Sequence, residues 1–181
     1  MKKTITLVFV AFLCFQLNAQ TKLKPTQLFW TGSAAFSSYE LTGSVLLEKG
    51  EIEIRNDSLV KLNVMVNMKS LDHENSTLKK HLRSEDFFEV NSYKTALFQL
   101  KEPAVIKNST TKISGDLKIK GVIKPQIFRI SFNSNYSVMF LDITINRTDY
   151  GITYNSPTYF EKLKDDAIAD EFNLKGEIRI E

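Results

Sequence analysis

The stretch 112-KISGDLKIKGVIKPQIFRISF-132 decides how the rest of the chain is read. Ile113, Gly115, Leu117 and Ile119 fall on one face of an extended chain, and Lys112, Ser114, Asp116, Lys118 and Lys120 on the other. Successive strand side chains point to opposite faces, so the pattern specifies a strand with one dry and one wet surface. The alternation resumes with Phe128, Ile130 and Phe132 against Arg129 and Ser131. Between the halves, Lys120 to Pro125 carries Gly121 and Pro125, which interrupt pairing and permit a reversal. A hairpin is expected. Alternation alone leaves open whether its apolar face meets a filled core, a second sheet or a ligand.

The same signature recurs on both sides. Toward the C-terminus, Ser137 to Asn146 presents Met139, Leu141, Ile143 and Ile145, and Phe172 to Ile180 sets Phe172, Leu174, Gly176, Ile178 and Ile180 against Asn173, Lys175, Glu177 and Arg179. Toward the N-terminus, Thr95 to Leu100 presents Ala96, Phe98 and Leu100, and Leu59 to Met68 presents Leu62, Val64, Val66 and Met68. Thr42 to Arg55 reads as a strand with a bulge or bend at Gly50, and Gln27 to Gly32 as a short first strand. Thr21 to Pro25 reads as a polar entry. About eight amphipathic strands at short spacing predict an all-β fold, an antiparallel sandwich or barrel, because strands of a parallel sheet would be apolar on both faces. A two-faced closing strand must pair, and pairing with the first strand removes both edges.

Two segments depart from period two. In Leu71 to Phe88, the spacing of Leu71, Leu78 and Leu82 forms one helical stripe, with Asp72 or Asn75 as cap and Ser84, Glu85 and Asp86 opening a second short turn. This predicts a helical crossover between strands. Tyr159 to Ala169 predicts a short C-terminal helix before the last strand, with Phe160, Leu163, Ala167 and Ile168 on one side.

The chain has 181 residues, 43% hydrophobic and 25% charged, the size and composition of one globular domain. Residues 1–19 read as a cleaved secretory signal peptide: Lys2 and Lys3, an apolar run from Ile5 to Leu17, then a small residue at Ala19. At 1.5 Å per residue that run covers roughly 20 Å, short of the roughly 30 Å hydrocarbon core, so no stable membrane span is expected. Residues 20–181 form the predicted domain, exported to the periplasm or secreted. Losing Lys2 and Lys3 lowers the formal net charge from +3 to +1, which removes any electrostatic argument for nucleic acid. Losing Cys14, the one cysteine, removes disulfides and thiol chemistry.

Directed chemistry finds little support. His73 and His81 lie eight residues apart, roughly 12 Å along a helix, too far to share a metal. Ser84, His81 and Asp86 could be drawn as a triad, but no nucleophile elbow surrounds the serine. Lys112, Lys118, Lys120 and Lys124 line the wet face of the hairpin without interleaved aromatics, so they read as solvated strand faces. No catalytic residue, metal or cofactor is expected. The inner apolar faces remain, and an eight-stranded barrel is just wide enough to be packed by side chains or to hold one small ligand.

At the crossover and the hairpin the chain resembles the YceI-like family of polyisoprenoid-binding, lipocalin-like proteins. The likeness is carried by 81-HLRSEDFF-88, by Tyr93 to Phe98, by 114-SGDLKIKGVIKP-125, by 146-NRTDYGI-152 and by 168-IADEF-172. It implies an antiparallel eight-stranded lipocalin-like barrel and an exported, non-enzymatic protein enclosing a long-chain apolar small molecule, such as a polyprenyl compound or another lipid. The inner strand residues Leu62, Val64, Val66, Met68, Phe98, Leu100, Leu117, Ile119, Phe128, Ile130, Ile143 and Ile145 would form the lining, with Leu78, Leu82, Phe87 and Phe88 of the crossover capping one end. The other reading is a solid-core barrel acting through its surface in envelope stress or adhesion. A homodimer is compatible with either.

Overall fold

The computed structural model describes residues 21–161 and 166–181. The predicted leader at 1–19 lies outside the described residues, as do positions 162–165 of the helix predicted over 159–169. In chain order the elements are β1 (Thr21–Leu23), β2 (Thr26–Ala34), β3 (Glu40–Arg55), β4 (Ser58–Asp72), α1 (Ser76–Leu82), β5 (Thr95–Leu100), β6 (Ala104–Val105), β7 (Thr110–Ile119), β8 (Val122–Phe132), β9 (Val138–Asn146), a 3-10 turn (Arg147–Tyr150) and β10 (Ile168–Arg179).

Strands β2, β3, β4, β5, β7, β8, β9 and β10 follow one another around a ring, every pairing antiparallel, and β10 closes on β2. This is the eight-stranded, lipocalin-like closed barrel with one short helix that the alternation and the resemblance predict. Closure removes the exposed edges that a two-faced sheet of this length would otherwise carry. β1 and β6 are short additions to β3 and β4.

Several local expectations need correction. The entry at Thr21–Leu23 is a strand, because it pairs with Gly50 to Ile52 and buries Leu23. β3 runs unbroken through Gly50; the irregularity nearest to it falls between Leu47 and Lys49, where Glu48 is the extra residue against β4, and the register also shifts between Ser44 and Leu46 and between Glu53 and Ile54. Leu71 is not on the helical stripe: β4 continues to Asp72 and points Leu71 into the core. The helix therefore starts at Ser76, where Asn75 Oδ1 accepts from the Thr77 and Leu78 amides at 2.9 and 3.1 Å. Ser84 to Phe88 forms turns rather than a second helical turn.

The opening hairpin reverses in two residues. Lys120 and Gly121 both adopt positive φ, 46° and 80°, as a type I′ turn requires, and glycine accepts the second at no steric cost. Pro125 is not part of the loop: it sits inside β8 opposite Asp116. Counting from the closing pair Ile119 and Val122, its position is non-hydrogen-bonded toward β7, so the missing N–H points at β9. β8 pairs with β9 only from Ile130 to Phe132, so the proline breaks no ladder bond.

Strand directions define two ends of the barrel. The loop end gathers the β2–β3 loop, α1 and its flanks, the β7–β8 turn and residues 147–161 and 166–167; the base gathers the short turns at 56–57, 101–109 and 133–137. At the base Leu23, Leu47, Ile52, Leu59, Ile106 and Phe132 form a dry, filled core. Each such side chain contributes about 1.5–3 kcal/mol by leaving water.

Candidate functional site

Above that filled base the barrel is hollow. A cavity of about 360 Å³ is bordered by inward side chains from every strand of the ring and by the crossover. All the residues predicted as lining border it except one: Leu62, Val64, Val66 and Met68 from β4, Phe98 from β5, Leu117 and Ile119 from β7, Phe128 and Ile130 from β8, Ile143 and Ile145 from β9, and Leu78, Leu82, Phe87 and Phe88 from α1 and the turn after it. Leu100 is the exception. It packs half-buried against the core, while the Phe98 ring lies over Gly115, the cross-strand partner of Leu100, and takes the cavity-facing place. A side chain on Gly115 would collide with that ring and with the Gln99 carbonyl, so glycine here permits a close approach.

The sequence reading stopped short of several lining residues. Leu28, Trp30, Val45, Ile113, Met139 and Ile178 also face the cavity. Most lie on the same alternating faces, so period two marked them as inward without telling lining from filler. Trp30 sits on the first strand, too short to show a period. Phe98 and Phe128 pair across the cavity wall with ring centroids 5.7 Å apart, a tilted geometry that aromatic pairs favour.

Charge enters this lining at three places. Asp166 and Glu171 lie at the mouth, exposed. Arg147 is buried, 4% exposed, and every nitrogen of its guanidinium is engaged: Nε donates to the Ala169 carbonyl at 3.0 Å, Nη1 to Ile152 at 2.8 Å and Nη2 to Ile168 at 2.9 Å. Asp170 lies 3.6 Å from Nη2, and the Phe87 ring packs against the cation at 5.8 Å. Burial pulls the Arg147 pKa below its ordinary value, opposed by Asp170. That ordinary value is so high that the group stays charged. The 3-10 turn places it: Asn146 Oδ1 accepts from the Thr148 amide at 2.9 Å, and Gly151 closes the turn at φ 74°. Arg147 thus staples the segment before β10 to the barrel, with each of its nitrogens already committed to a backbone carbonyl.

The residues weighed for catalysis or metal binding do not assemble. His73 precedes α1 rather than lying on it, and its Nδ1 accepts from the Asn75 amide at 2.9 Å. His81 packs edge-on against Phe87 and Tyr154 at 5.1 and 4.6 Å. Ser84 donates its hydroxyl to the His81 carbonyl at 2.7 Å, not to an imidazole. Among the described residues no group of three or more His, Cys, Asp or Glu could hold a metal ion, and no helix is long and apolar enough to cross a membrane.

The mouth lies at the loop end, along the seam between β2 and β10. There Ile168 pairs with Ala34 and Phe172 with Gly32, so β10 carries two residues more than β2 between these pairs. This bulge pushes the strands apart. Ser33, Ala34, Tyr39, Asp166 and Ala167 border the opening, and the Ala35 amide donates to the Ala167 carbonyl at 2.8 Å across it.

Comparison with known proteins agrees with this architecture. The chain superposes on a YceI protein from Campylobacter jejuni with a TM-score of 0.59 at 26% identity, over 73% of this chain and 80% of that one. It superposes on BcnA from Burkholderia cenocepacia with a TM-score of 0.66 at 14% identity, over 85% and 96%. A polyisoprenoid binding domain from Saccharophagus degradans gives 0.62 at 14% identity, over 90% and 98%. In sequence, the UPF0312 protein SA2479 of Staphylococcus aureus (strain N315) is 31% identical over 114 residues, covering 58% of this chain and 64% of that protein. The chain thus spans just under two thirds of the curated relatives' length. The YceI-like domain matches residues 18–180, nearly the whole chain, and with a closed antiparallel barrel, a helical crossover and a hollow loop end in place, the protein belongs to the YceI-like family.

Proposed function

We propose that this protein is an exported binding protein of the periplasm or medium that encloses one long-chain apolar molecule, of the polyisoprenoid or lipid class, and is not an enzyme. The observation that carries this reading is the cavity itself: a largely apolar wall with a single buried charge, Arg147, each of whose nitrogens already donates to a backbone carbonyl. Such a wall offers no directed hydrogen bonds and rewards a ligand by burial, at about 0.8 kcal/mol per methylene. The likeness to the polyisoprenoid binding domain from Saccharophagus degradans supports the ligand class. The apolar run at Ile5 to Leu17 behind Lys2 and Lys3 supports export. The hollow interior speaks against the solid-core alternative.

Native mass spectrometry of the purified protein, followed by organic extraction, tests the reading. The expected result is an extra mass matching one long-chain apolar molecule, or, in empty protein, uptake of a fluorescent polyene with a blue-shifted spectrum. An empty protein that leaves the polyene spectrum unchanged would overturn it.

A further inference from the structure

The large apolar side chains left exposed are unevenly placed. Phe36, Tyr39, Tyr154, Tyr159, Phe160 and the pair Val122 and Ile123 all project at the loop end, whereas Phe29, Ile127 and Phe140 lie on the strands of the wall and Val105 at the base. Phe36 and Tyr39 are 70% and 63% exposed, on the β2–β3 loop that forms one lip of the cavity mouth. Tyr159 and Phe160, 57% and 49% exposed, belong to the segment forming the other lip. That segment is held there by Ser156, whose carbonyl accepts from the amides of both, by Thr158 Oγ1 donating to Asp170 at 2.5 Å, and by the Ile168 amide donating to the Asn155 carbonyl at 2.9 Å.

The two lip segments are themselves uncharged, while exposed Asp166 and Glu171 border the opening. Gly32 to Tyr39 (GSAAFSSY) and Gly151 to Phe160 (GITYNSPTYF) contain no Asp, Glu, Lys or Arg, in a chain that is 25% charged. Loop tips facing water ordinarily carry charge, and aromatic rings there pay for their exposure. Exposed aromatic segments beside a largely apolar opening suit one environment: the headgroup boundary of a bilayer, where Phe and Tyr partition and where the Asp166 and Glu171 carboxylates can stay solvated. The enclosed cargo has the same preference, since a long apolar chain crosses water reluctantly and a mouth seated in lipid spares it that crossing.

We propose that the two neutral aromatic lips, built on Phe36 and Tyr39 and on Tyr159 and Phe160, are a membrane-docking rim that seats the mouth on a lipid surface for cargo transfer. The transfer rests on the binding function proposed above; the docking does not. The test is co-sedimentation of the protein with phosphatidylcholine vesicles, alongside uptake of a polyene delivered from ethanol and of the same polyene preloaded in the vesicles. Wild type is expected to sediment equally at low and high salt. The variant F36S should lose binding on the order of tenfold and take up the vesicle-borne polyene correspondingly slower, with ethanol-delivered uptake unchanged. Y159S/F160S provides the same reading from the other lip if the first variant misfolds. Wild type left in the supernatant, variants that sediment like wild type, or binding confined to anionic vesicles and lost in salt would each overturn the proposal. So would a concentration-dependent dimer that the substitutions dissolve, which would make a second copy of the chain the occupant. Vesicle binding without uptake of polyene from either source would overturn the cargo-transfer role and the binding function together while leaving the docking surface standing.

Discussion

The base and the loop end of this barrel are made from the same eight strands and the same alternation, yet one is solid and the other hollow. At the base, Leu47, Ile52 and Leu59 are fully buried among one another, and β1 lays Leu23 across them. At the loop end the inward residues Val64, Val66 and Leu174 are only partly buried, because they face a void instead of a neighbour. Apolar side chains at the base contribute stability by filling space; those at the loop end form a surface. The same substitution should therefore cost very different amounts at the two ends.

The largest effect is expected where the hollow end is held together. Arg147→Ala strips the Ile152, Ile168 and Ala169 carbonyls of their donor and leaves Asp170 without its cation. Leaving such groups buried and unpaired costs about 3–5 kcal/mol, and Arg147→Lys should recover only part of it, since a lysine cannot present the planar fork. Urea denaturation measures both; a loss below 1 kcal/mol, roughly what an exposed pair is worth, would show the staple to be ornamental.

At the base, Leu59→Ala or Ile52→Ala should cost about 2–5 kcal/mol, the penalty for opening a new cavity in a close-packed core. Val66→Ala in the wall of the void removes contacts that are already incomplete, and about 1 kcal/mol or less is expected. If the two ends lose equal stability, the contrast between solid and hollow fails. The converse sharpens it: Ala96→Phe should fill the void, hold or raise the unfolding midpoint and abolish polyene uptake, whereas a comparable enlargement of a packed core costs about 1–3 kcal/mol.

Asn75→Ala should cost about 1 kcal/mol, by removing the cap that starts the crossover helix over the cavity. Hydrogen exchange should then rise from Ser76 to Leu82 while the base stays protected.

The smallest effect expected is that of pH. Glu51 is held below the ordinary carboxylate range by its hydrogen bond from Lys61, Asp72 by Lys79 and Asp142 by Asn173. A depressed carboxylate contributes stability above its unfolded pKa that is lost as pH falls through the folded one. The midpoint should therefore be flat from neutral pH down to about 5 and fall below about 4. All three groups are solvated, so the fall should be shallow.

Much of the fold was legible because strand alternation is a local property with a global consequence. The faces of β7, β9 and β10 could be assigned residue by residue, and closure followed from the need to pair a two-faced last strand. What was misread had its cause outside the segment. Leu71 fits a helical spacing with Leu78 and Leu82, yet β3 offers Asp72 a ladder partner at Ser44 and carries the strand past it. Thr21–Leu23 has no period of its own and is a strand because β3 extends far enough to receive it. Pro125 looked like a turn residue, and its place inside β8 is tolerated because β9 has already diverged there.

By itself, then, the sequence determined the chemistry of the interior. Most inward strand positions are apolar in the order the chain is written, since side chains two apart share a face whatever the partner strand. Whether those faces meet or stand apart depends on ring size, on the bulge between Ile168 and Phe172 and on a crossover that roofs the barrel without filling it. Those are distances between segments far apart in the chain, so the tertiary structure alone decided that the base is a core and the loop end a cavity.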